Sequence, residues 1–171
     1  MWNKSGKALG TYAEAYNFAL DKLSLRDFTR FELRDKLLER ECPEDLADQV
    51  LAKLTERHFL DDARCAARIT AAWRGKRFYG RQYLRLMLSK KQVPQELIQE
   101  ELAQVTEEEE TERACDWART QLGKFQRKYK ADPRKGKAAL SRGLASRGFG
   151  FGAIASALQL WQEAGGEEDL F

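Results

Sequence analysis

The 171-residue sequence predicts an all-α protein made of three tandem three-helix repeats, and three observations support that fold class. Leu and Ala occur 22 times each, whereas Val and Ile together occur six times, too few for the core of a β-sheet. Helix-capping residues mark about nine helices joined by short connections. One two-helix pattern recurs three times along the chain.

Residues that favour the first turn of a helix mark several of the predicted helix starts. Thr29 and Glu32 have the spacing of a capping box, in which each side chain bonds to the backbone N–H of the other residue. The other starts are expected at Pro43, at Asp61 with Asp62, at Pro94 and at Asp132 with Pro133. Gly75 and Gly148 are expected just beyond two helix ends.

The second and third helices of each repeat carry the recurring pattern. In the first copy Leu33-Arg34 is followed by Leu37, a basic residue, a turn and another amphipathic helix. The string returns 51 residues later and again 56 residues after that, with Ser141 replacing the arginine in the last copy. The first helices are expected near 12–23, 63–73 and 111–122.

These repeats give the predicted domain organisation. It comprises an N-terminal tail, 1–11, the repeats 12–58, 59–105 and 106–162, and a flexible acidic C-terminal tail, 163–171. A unit of about 50 residues has a small core and shares apolar surface with its neighbours. An elongated array that can curve is therefore expected.

Charge is distributed along the chain in large blocks that the net charge of +3 conceals. Residues 63–95 carry nine basic and no acidic side chains, and residues 117–161 carry ten basic and one acidic. Residues 96–116 carry one basic and nine acidic side chains, and residues 162–171 carry four acidic ones. Two strongly basic blocks therefore flank an acidic one.

The first basic block cannot form i,i+4 ion pairs within itself, so it is expected to need an external anion. Aromatic residues lie among its basic ones, a mixture suited to nucleic-acid phosphates and bases or to an acidic protein groove. The alternative is a solvated basic face that neutralises the acidic helix next in sequence. The candidate binding residues are Arg64, Arg68, Arg74, Lys76, Arg77, Arg81, Arg85, Lys90 and Lys91, with Lys124, Arg127, Lys128, Lys130 and Arg134 in the second basic block.

The cysteines and the hydropathy pattern indicate where the protein works. Cys42, Cys65 and Cys115 lie far apart and are expected to be small buried hydrophobic residues of a reducing compartment. The sequence contains no run of 18 apolar residues, and neither a membrane span nor a signal peptide is supported. A cytoplasmic monomer is expected.

Residues capable of catalysis or metal binding are few. Asp61 and Asp62 are interpreted as helix caps, and His58 as a structural residue beside a helix end. Trp73, Trp117 and Trp161 are expected in the core. No nucleophile–base pair, metal cluster or phosphate-binding glycine loop is recognisable, so a non-enzymatic protein without cofactors is predicted.

The last residues of the sequence form an acidic peptide that ends in two apolar side chains. Gly165-Gly166 is expected to loosen the chain before them. Asp169-Leu170-Phe171 resembles the short peptides that dock in the pocket of the bacterial sliding clamp, although Glu167 and Glu168 stand where the clamp consensus prefers Gln and Leu. The alternative is a solubilising tail.

Several of these motifs together resemble the RecX family of regulatory proteins. The motifs are Glu32-Leu33-Arg34 followed by Leu37, the string His58-Phe59-Leu60-Asp61-Asp62-Ala63-Arg64, and the run Gly75-Lys76-Arg77-Phe78-Tyr79-Gly80-Arg81 leading to Leu84-Arg85. The similarity covers roughly residues 12–161. The family often has glycine where Glu41, His58 and Gln92 stand, so helix C-caps are expected to be weaker in this chain.

The resemblance implies a non-enzymatic modulator of the RecA recombinase. Such a protein binds the RecA filament on DNA and restrains ATP hydrolysis and strand exchange in recombination, DNA repair and the SOS response. The two basic blocks would then attract DNA and acidic surfaces of the filament. The other hypothesis is a sequence-independent protein that binds single- or double-stranded DNA directly. Both hypotheses use the same arginines, so the sequence leaves both open.

Overall fold

The computed structural model describes residues 7–166 and contains, within that range, nine α-helices and no strand. The helices are α1 (Tyr12–Leu25), α2 (Arg30–Leu38), α3 (Glu44–Glu56), α4 (Asp62–Gly75), α5 (Arg81–Lys90), α6 (Gln95–Ala103), α7 (Glu107–Lys128), α8 (Pro133–Ser146) and α9 (Phe151–Trp161). A π-helical turn, Gln162–Gly166, follows α9. The all-α prediction is confirmed, and α7 is longer than the helix expected near 111–122.

The chain divides into two compact units. Of the described residues, those up to Arg68 and those in Leu88–Ile98 form the first unit. Ile69–Met87 and the residues from Gln99 onwards form the second unit.

In the first unit, α1, α2 and α3 pack around an apolar core. Its fully buried members include Leu33, Leu37, Leu51 and Leu54. Burying one such leucine side chain stabilises a fold by about 1.5–3 kcal/mol. Leu9, in the segment predicted as a tail, lies in the same core and donates its backbone N–H to the carbonyl of Arg40 at 3.0 Å.

In the second unit, α7, α8 and α9 surround a core that contains two tryptophans. Trp117 and Trp161 are buried there. Trp73 on α4 is also buried, so all three tryptophans are in the interior, as predicted. A side chain at Gly143 would collide with the ring of Trp117. Small residues on α8 therefore allow the large rings to pack against it.

Four helix ends repeat one turn geometry. Glu41, His58, Gln92 and Gly148 follow α2, α3, α5 and α8 with φ of 57°, 58°, 53° and 78°, which is the left-handed region. In each turn the next residue donates its N–H to a carbonyl five positions back, from Cys42 to Leu37, from Phe59 to Leu54, from Val93 to Leu88 and from Phe149 to Leu144. This is the Schellman arrangement. The three non-glycine residues lie at positions that favour glycine, as the family resemblance implied.

Two glycine-containing turns of the second unit meet through their backbones. The N–H of Gly80 donates to the carbonyl of Arg147 at 3.0 Å, and the N–H of Gln82 donates to the carbonyl of Gly148 at 3.0 Å. A Cβ atom at Gly80 would collide with the backbone of Gly148 and Phe149. The close approach therefore requires glycine.

The predicted helix caps are largely confirmed. Thr29 Oγ1 accepts from the N–H of Glu32 at 3.1 Å, and the N–H of Thr29 donates to Glu32 Oε2 at 3.2 Å. Asp61 accepts from the N–H of Arg64 at 3.0 Å, and Asp132 accepts from the N–H of Lys135 at 3.1 Å. Local spacing thus predicted these caps correctly.

Two of the three prolines lie slightly outside their predicted positions, whereas Pro133 begins α8 as predicted. Pro43 and Pro94 were expected within first helical turns, but α3 begins at Glu44 and α6 at Gln95. Pro43 has a ψ of 140°, which is not helical. Each of these two prolines therefore precedes its helix by one residue.

Candidate functional site

In the first unit, three basic residues of block 63–95 bind acidic residues that precede the block in sequence. Arg64 Nε lies 3.5 Å from Asp27 Oδ1, and Arg68 pairs with Asp27 Oδ2. The guanidinium of Arg64 also donates to the carbonyls of His58 and Phe59, at 3.3 and 3.1 Å. Arg64 therefore holds the turn between α3 and α4.

Lys91 is the third of these residues. Its Nζ donates to Glu32 Oε1 at 2.9 Å, and its carbonyl accepts from Thr29 Oγ1 at 2.8 Å. Burial raises the pKa of Glu32, but hydrogen bonds from Arg26, Lys91 and Thr29 outweigh burial and leave the pKa below its ordinary value. Lys91 therefore stabilises the start of α2.

In the second unit, two arginines bind the acidic half of α7. Arg74 Nε lies 3.4 Å from Glu109 Oε1, and Arg77 donates to Asp116 Oδ2 through Nη2 at 2.6 Å and Nε at 3.0 Å. These hydrogen bonds from Arg77 hold the pKa of Asp116 below its usual range. Exposed pairs of this kind stabilise a fold weakly, but they neutralise the arginines.

Arg81 is bonded through both its backbone and its side chain. Its N–H and that of Gly150 both donate to Glu110 Oε1, at 2.9 and 3.1 Å, and its guanidinium donates to the carbonyl of Leu102 at 3.1 Å. Glu110 is buried, so one carboxylate caps the N-termini of α5 and α9.

Arg113 is an important residue that the sequence reasoning missed. Its guanidinium donates to the carbonyls of Trp73, Arg74, Lys76 and Tyr79, at 3.0, 3.4, 2.9 and 3.3 Å. It also lies 4.1 Å from the ring centroid of Trp73. Burial lowers the pKa of Arg113. The signal was present, since Arg113 is the single basic residue in the acidic block 96–116.

Part of the counter-charge that block 63–95 was expected to take from an external anion is therefore supplied within the chain, and the binding role of its residues stays a prediction. Five of its nine basic residues form ion pairs within the chain, namely Arg64, Arg68, Arg74, Arg77 and Lys91. Lys76 lies 5.5 Å from the ring centroid of Tyr83. Arg85 and Lys90 have no ion pair among the described residues. The neutralising alternative is correct for Glu109 and Asp116, but Asp27 and Glu32 come from the preceding sequence.

The five candidate residues of the second basic block differ from most of those in the first. They are exposed, and within residues 7–166 their side chains form no ion pair or hydrogen bond. We refer to them as the α7–α8 basic surface, defined by Lys124, Arg127, Lys128, Lys130 and Arg134. The first three share one face at the C-terminal end of α7, because they are spaced by three and four residues. Lys130 lies in the turn after α7, and Arg134 lies in the first turn of α8.

Arg134 lies where the helix dipole disfavours a cation, although its charge, after the bonds from Lys135, helps to hold the pKa of the N-cap carboxyl of Asp132 below its usual value. A cation near a helix N-terminus opposes the positive end of the helix dipole, and the first turn of α8 contains no acidic residue. By contrast, Arg127 and Lys128 lie in the last turn of α7, where the dipole favours cations. Stabilisation of helix ends therefore accounts for part of the surface only.

A hollow of about 450 Å³ lies within the second unit, where α5, α7 and α9 begin. Its lining includes Arg81, Arg85, Glu107, Glu110 and Ser156. Both charges occur there, and Arg85 supplies the basic side chain without an ion pair among the described residues. Arg85, which belongs to the first basic block and has no ion pair among the described residues, therefore lies in this hollow.

The other chemical expectations concern thiols, metals and membranes. Burial raises the pKa of the Cys65 thiol to about 11, and its Sγ donates to the carbonyl of Phe28 at 3.2 Å. Cys42 is also buried, and Cys115 is half-buried. Within residues 7–166, no group of three His, Cys, Asp or Glu side chains is placed to hold a metal ion. Over the same range, no helix has the length and hydropathy needed to cross a membrane.

The clamp-docking prediction concerns residues beyond this range. Asp169, Leu170 and Phe171 lie outside the described residues. The same is true of most of the predicted tail, 163–171, of which Glu163–Gly166 lie in the π-helical turn.

Comparison with known proteins begins with a family model. The model for the first three-helix domain of RecX matches residues 15–54. The regulatory protein RecX of Thermus thermophilus is 33% identical over 153 residues, which cover 90% of this chain and 96% of that protein. The RecX of Cronobacter sakazakii is 33% identical over 79% of this chain and 87% of its own length. The RecX of Halalkalibacterium halodurans is 30% identical, and the match spans 50% of its length.

Two solved structures are also similar to this chain. The crystal structure of RecX from Lactobacillus salivarius matches with a TM-score of 0.78 and 24% identity, over 89% of this chain and 97% of that one. A second crystal structure of a regulatory protein RecX matches with a TM-score of 0.73 and 27% identity, over 89% and 73%. The all-α repeat fold is therefore shared with these proteins.

Proposed function

This chain belongs to the RecX family of regulatory proteins, and from that premise we propose that it binds the RecA filament on DNA and restrains ATP hydrolysis and strand exchange. The observation that carries the proposal is the match to the regulatory proteins RecX of Thermus thermophilus and Cronobacter sakazakii, which spans 96% and 87% of their lengths. The protein acts by binding, as a monomer in the cytoplasm, and uses no cofactor. Its work belongs to recombination, DNA repair and the SOS response.

A contact with DNA is the second part of the proposal, and the α7–α8 basic surface supports it. Five exposed cations lie within eleven residues, and among the described residues none of the five forms an ion pair. Backbone phosphates satisfy such cations without regard to base sequence, because counterions are released from the DNA. A protein that acts on DNA alone would use the same surface, so this observation also favours the alternative function.

The two functions differ in how inhibition depends on protein concentration and salt. The test is RecA-dependent ATP hydrolysis on single-stranded DNA with substoichiometric protein, measured at several salt concentrations. We expect inhibition well below the amount of protein needed to coat the DNA, and we expect it to persist at salt concentrations that abolish DNA binding by the protein alone. Inhibition that requires coating and disappears with DNA binding would establish the alternative.

A substitution at Arg85 tests whether α5 contributes to the contact with the RecA filament. It lacks an ion pair among the described residues, so Arg85→Glu removes no known support of the fold. We expect the variant to inhibit RecA-dependent ATP hydrolysis several-fold less well and to keep its helical circular dichroism. Leu86→Glu, at the exposed neighbouring position of α5, is the matched control for an added carboxylate. Full inhibition by Arg85→Glu would remove this part of α5 from the proposed contact.

A clamp contact through Asp169, Leu170 and Phe171 remains a separate proposal that rests on sequence resemblance alone. A peptide of residues 162–171 tests it directly. Absence of binding to the clamp at high micromolar concentration would remove it.

A further inference from the structure

We propose that the hollow where α5, α7 and α9 begin, together with the exposed side chain of Phe151, binds a protein segment of the RecA filament that carries a carboxylate beside an apolar side chain. The inference rests on the proposed function and adds the surface and the chemistry of the filament contact. It separates that contact from the α7–α8 basic surface, through which DNA binding is proposed.

The first support is a cation that the second repeat leaves without its carboxylates. In the first repeat, Arg34 donates to Asp48 Oδ1 at 3.0 Å and to Glu44 Oε2 at 3.1 Å. Arg85 is the counterpart of Arg34, 51 residues later in the sequence, but 51 residues after Glu44 and Asp48 the sequence has glutamine. Arg85 is half-buried, and its side chain forms no ion pair or hydrogen bond among the described residues. Its charge is therefore available to a partner.

The second support is the set of hydrogen-bonding groups that share the hollow with Arg85. The volume of about 450 Å³ lies within the range of about 300–1,000 Å³ that is typical of ligand sites. Thr111 and Ser156 line the hollow and are half-buried, and in the part of the chain that the structure describes their hydroxyls have no hydrogen-bond partner. Hydroxyl and guanidinium groups both donate to carboxylate oxygens. An incoming carboxylate would therefore meet several unused donors.

The charges of the lining favour a protein segment over a nucleic acid. Glu107 is exposed and Glu110 is buried, and both line the hollow with Arg81 and Arg85. The two carboxylates balance the two guanidinium groups, so the lining has no surplus of positive charge. A phosphate backbone binds where cations are in surplus. A protein segment with one carboxylate can instead contact Arg85 alone.

The third support is an exposed aromatic residue beside the hollow. Phe151 begins α9 and lies in sequence between Gly150 and Gly152, which both line the hollow. Phe151 is 87% exposed, and its counterpart in the first repeat, 107 residues earlier, is the polar Glu44. Aromatic residues and arginine are enriched at protein interfaces and supply much of their binding energy. Phe151 therefore offers an apolar contact next to the carboxylate site.

The test is the double variant R85A/F151A of the full-length protein. Its affinity is measured by co-sedimentation with RecA filaments assembled on single-stranded DNA, and separately for the same DNA without RecA. The matched control is R30A/F31A on α2. Phe31 is 45% exposed, and the exposed side chain of Arg30 has no partner among the described residues. Both variants should keep the helical circular dichroism of the parent.

We expect R85A/F151A to bind filaments about ten-fold or more weakly than the parent, and R30A/F31A to stay within about two-fold of it. The affinity for DNA without RecA should fall less than about two-fold in both variants, because each loses one cation of many. Arg85→Glu should bind filaments more weakly than Arg85→Ala, because like charges repel. Equal filament affinities of these two single variants would overturn an acidic partner segment.

The other outcomes separate this inference from its alternatives and from the proposed function. Filament binding by R85A/F151A that equals the parent's would overturn the inference. An equal loss of affinity for DNA without RecA would also overturn it, because the hollow would then bind nucleic acid. A dimer of the parent that R85A/F151A abolishes in sedimentation velocity would overturn it in favour of a second copy. If the parent binds filaments without restraining ATP hydrolysis, the proposed function fails, and the filament affinities of the variants still decide the inference.

Discussion

Residues 63–95 and 117–161 carry nine and ten basic side chains, and the fold satisfies the two blocks differently. In the first block, Asp27, Glu32, Glu109 and Asp116 neutralise five of the nine. In the second block, the five cations of the α7–α8 basic surface form no ion pair within the described range. Charge density alone therefore does not identify a binding surface, because the position of the acidic residues decides which cations remain available.

Helix α7 shows the contrast within one element. Its first turn contains four glutamates and its last turn contains Arg127 and Lys128. Both arrangements suit the helix dipole. The acidic half lies against residues of the first basic block, as the pairs of Arg74 with Glu109 and Arg77 with Asp116 show. The basic half extends beyond those partners.

The largest expected effect is on DNA affinity, when the cations of the α7–α8 basic surface are removed. We expect K124A/R127A/K128A/K130A to weaken duplex binding about 100-fold or more at low salt, and to reduce the slope of log affinity against log salt by about 3–4, since each lost phosphate contact removes about 0.9. The measurement is a salt titration of duplex binding by fluorescence anisotropy.

The matched control removes two arginines that the fold has neutralised, R68A/R77A. Both side chains are 69% exposed, yet both are paired. We expect this variant to keep the parental salt slope. A slope reduced by the control as much as by the quadruple variant would break the distinction between the two blocks.

A smaller effect is expected from Arg113→Ala, which tests how much Arg113 stabilises the segment of the first basic block that it contacts. The variant removes a guanidinium that is 11% exposed and serves four carbonyls near the end of α4. We expect a loss of about 2–4 kcal/mol in the free energy of unfolding, because several charged hydrogen bonds from one mostly buried guanidinium are lost. Urea denaturation measures the loss. Arg119→Ala, an exposed change on the same helix, should stay within about 0.5 kcal/mol of the parent.

Glu32→Gln tests the contact between Glu32 and Lys91 of the same block through the pH dependence of stability. The folded-state pKa of Glu32 lies below its ordinary value of 4.5, so its ionisation adds stability that is complete above about pH 4.5 and is lost as pH falls through the folded-state pKa. The variant should be less stable at neutral pH and should lose stability less steeply on acidification below pH 4.5. Urea titrations between neutral pH and pH 3 measure this, and a slope as steep as that of the parent would contradict the role of the Arg26 and Lys91 contacts.

The smallest effect concerns the left-handed turn after α5. Gln92→Gly should raise the free energy of unfolding by about 0.5–1 kcal/mol, because glycine adopts a φ of 53° without steric cost. Ser89→Gly, within α5, should lower it by about 0.5 kcal/mol, because glycine is a poor helix former. Thermal denaturation of both variants checks the opposite signs.

Features set by local spacing could be predicted from the sequence. The Thr29–Glu32 capping box, the Asp132 cap and the burial of Trp117 depend on residues a few positions apart or on helical periodicity. Arg113 and Glu110 could not be predicted in the same way. Their partners lie up to 40 residues away, and only the packing of α4, α5, α7 and α9 in the second unit brings them together.

The basic surface falls between these cases. The sequence named Lys124, Arg127, Lys128, Lys130 and Arg134, but it ranked the arginines of the first block above them. Ion pairs between residues that are far apart in the sequence occupy five cations of the first block, and the sequence does not show these pairs. The sequence does show that blocks of opposite charge are neighbours, which indicates that some of the cations can be paired within the chain.

The backbone contact between Gly80 and Gly148 has a genetic consequence. Every single-nucleotide missense change in a glycine codon introduces a residue with a Cβ atom. At Gly80 that atom would collide with the backbone of Gly148 and Phe149, and at Gly148 with the backbone of Tyr83. Neither position therefore has a tolerated one-step neighbour, and missense alleles at these two codons should be rare among functional copies of this gene.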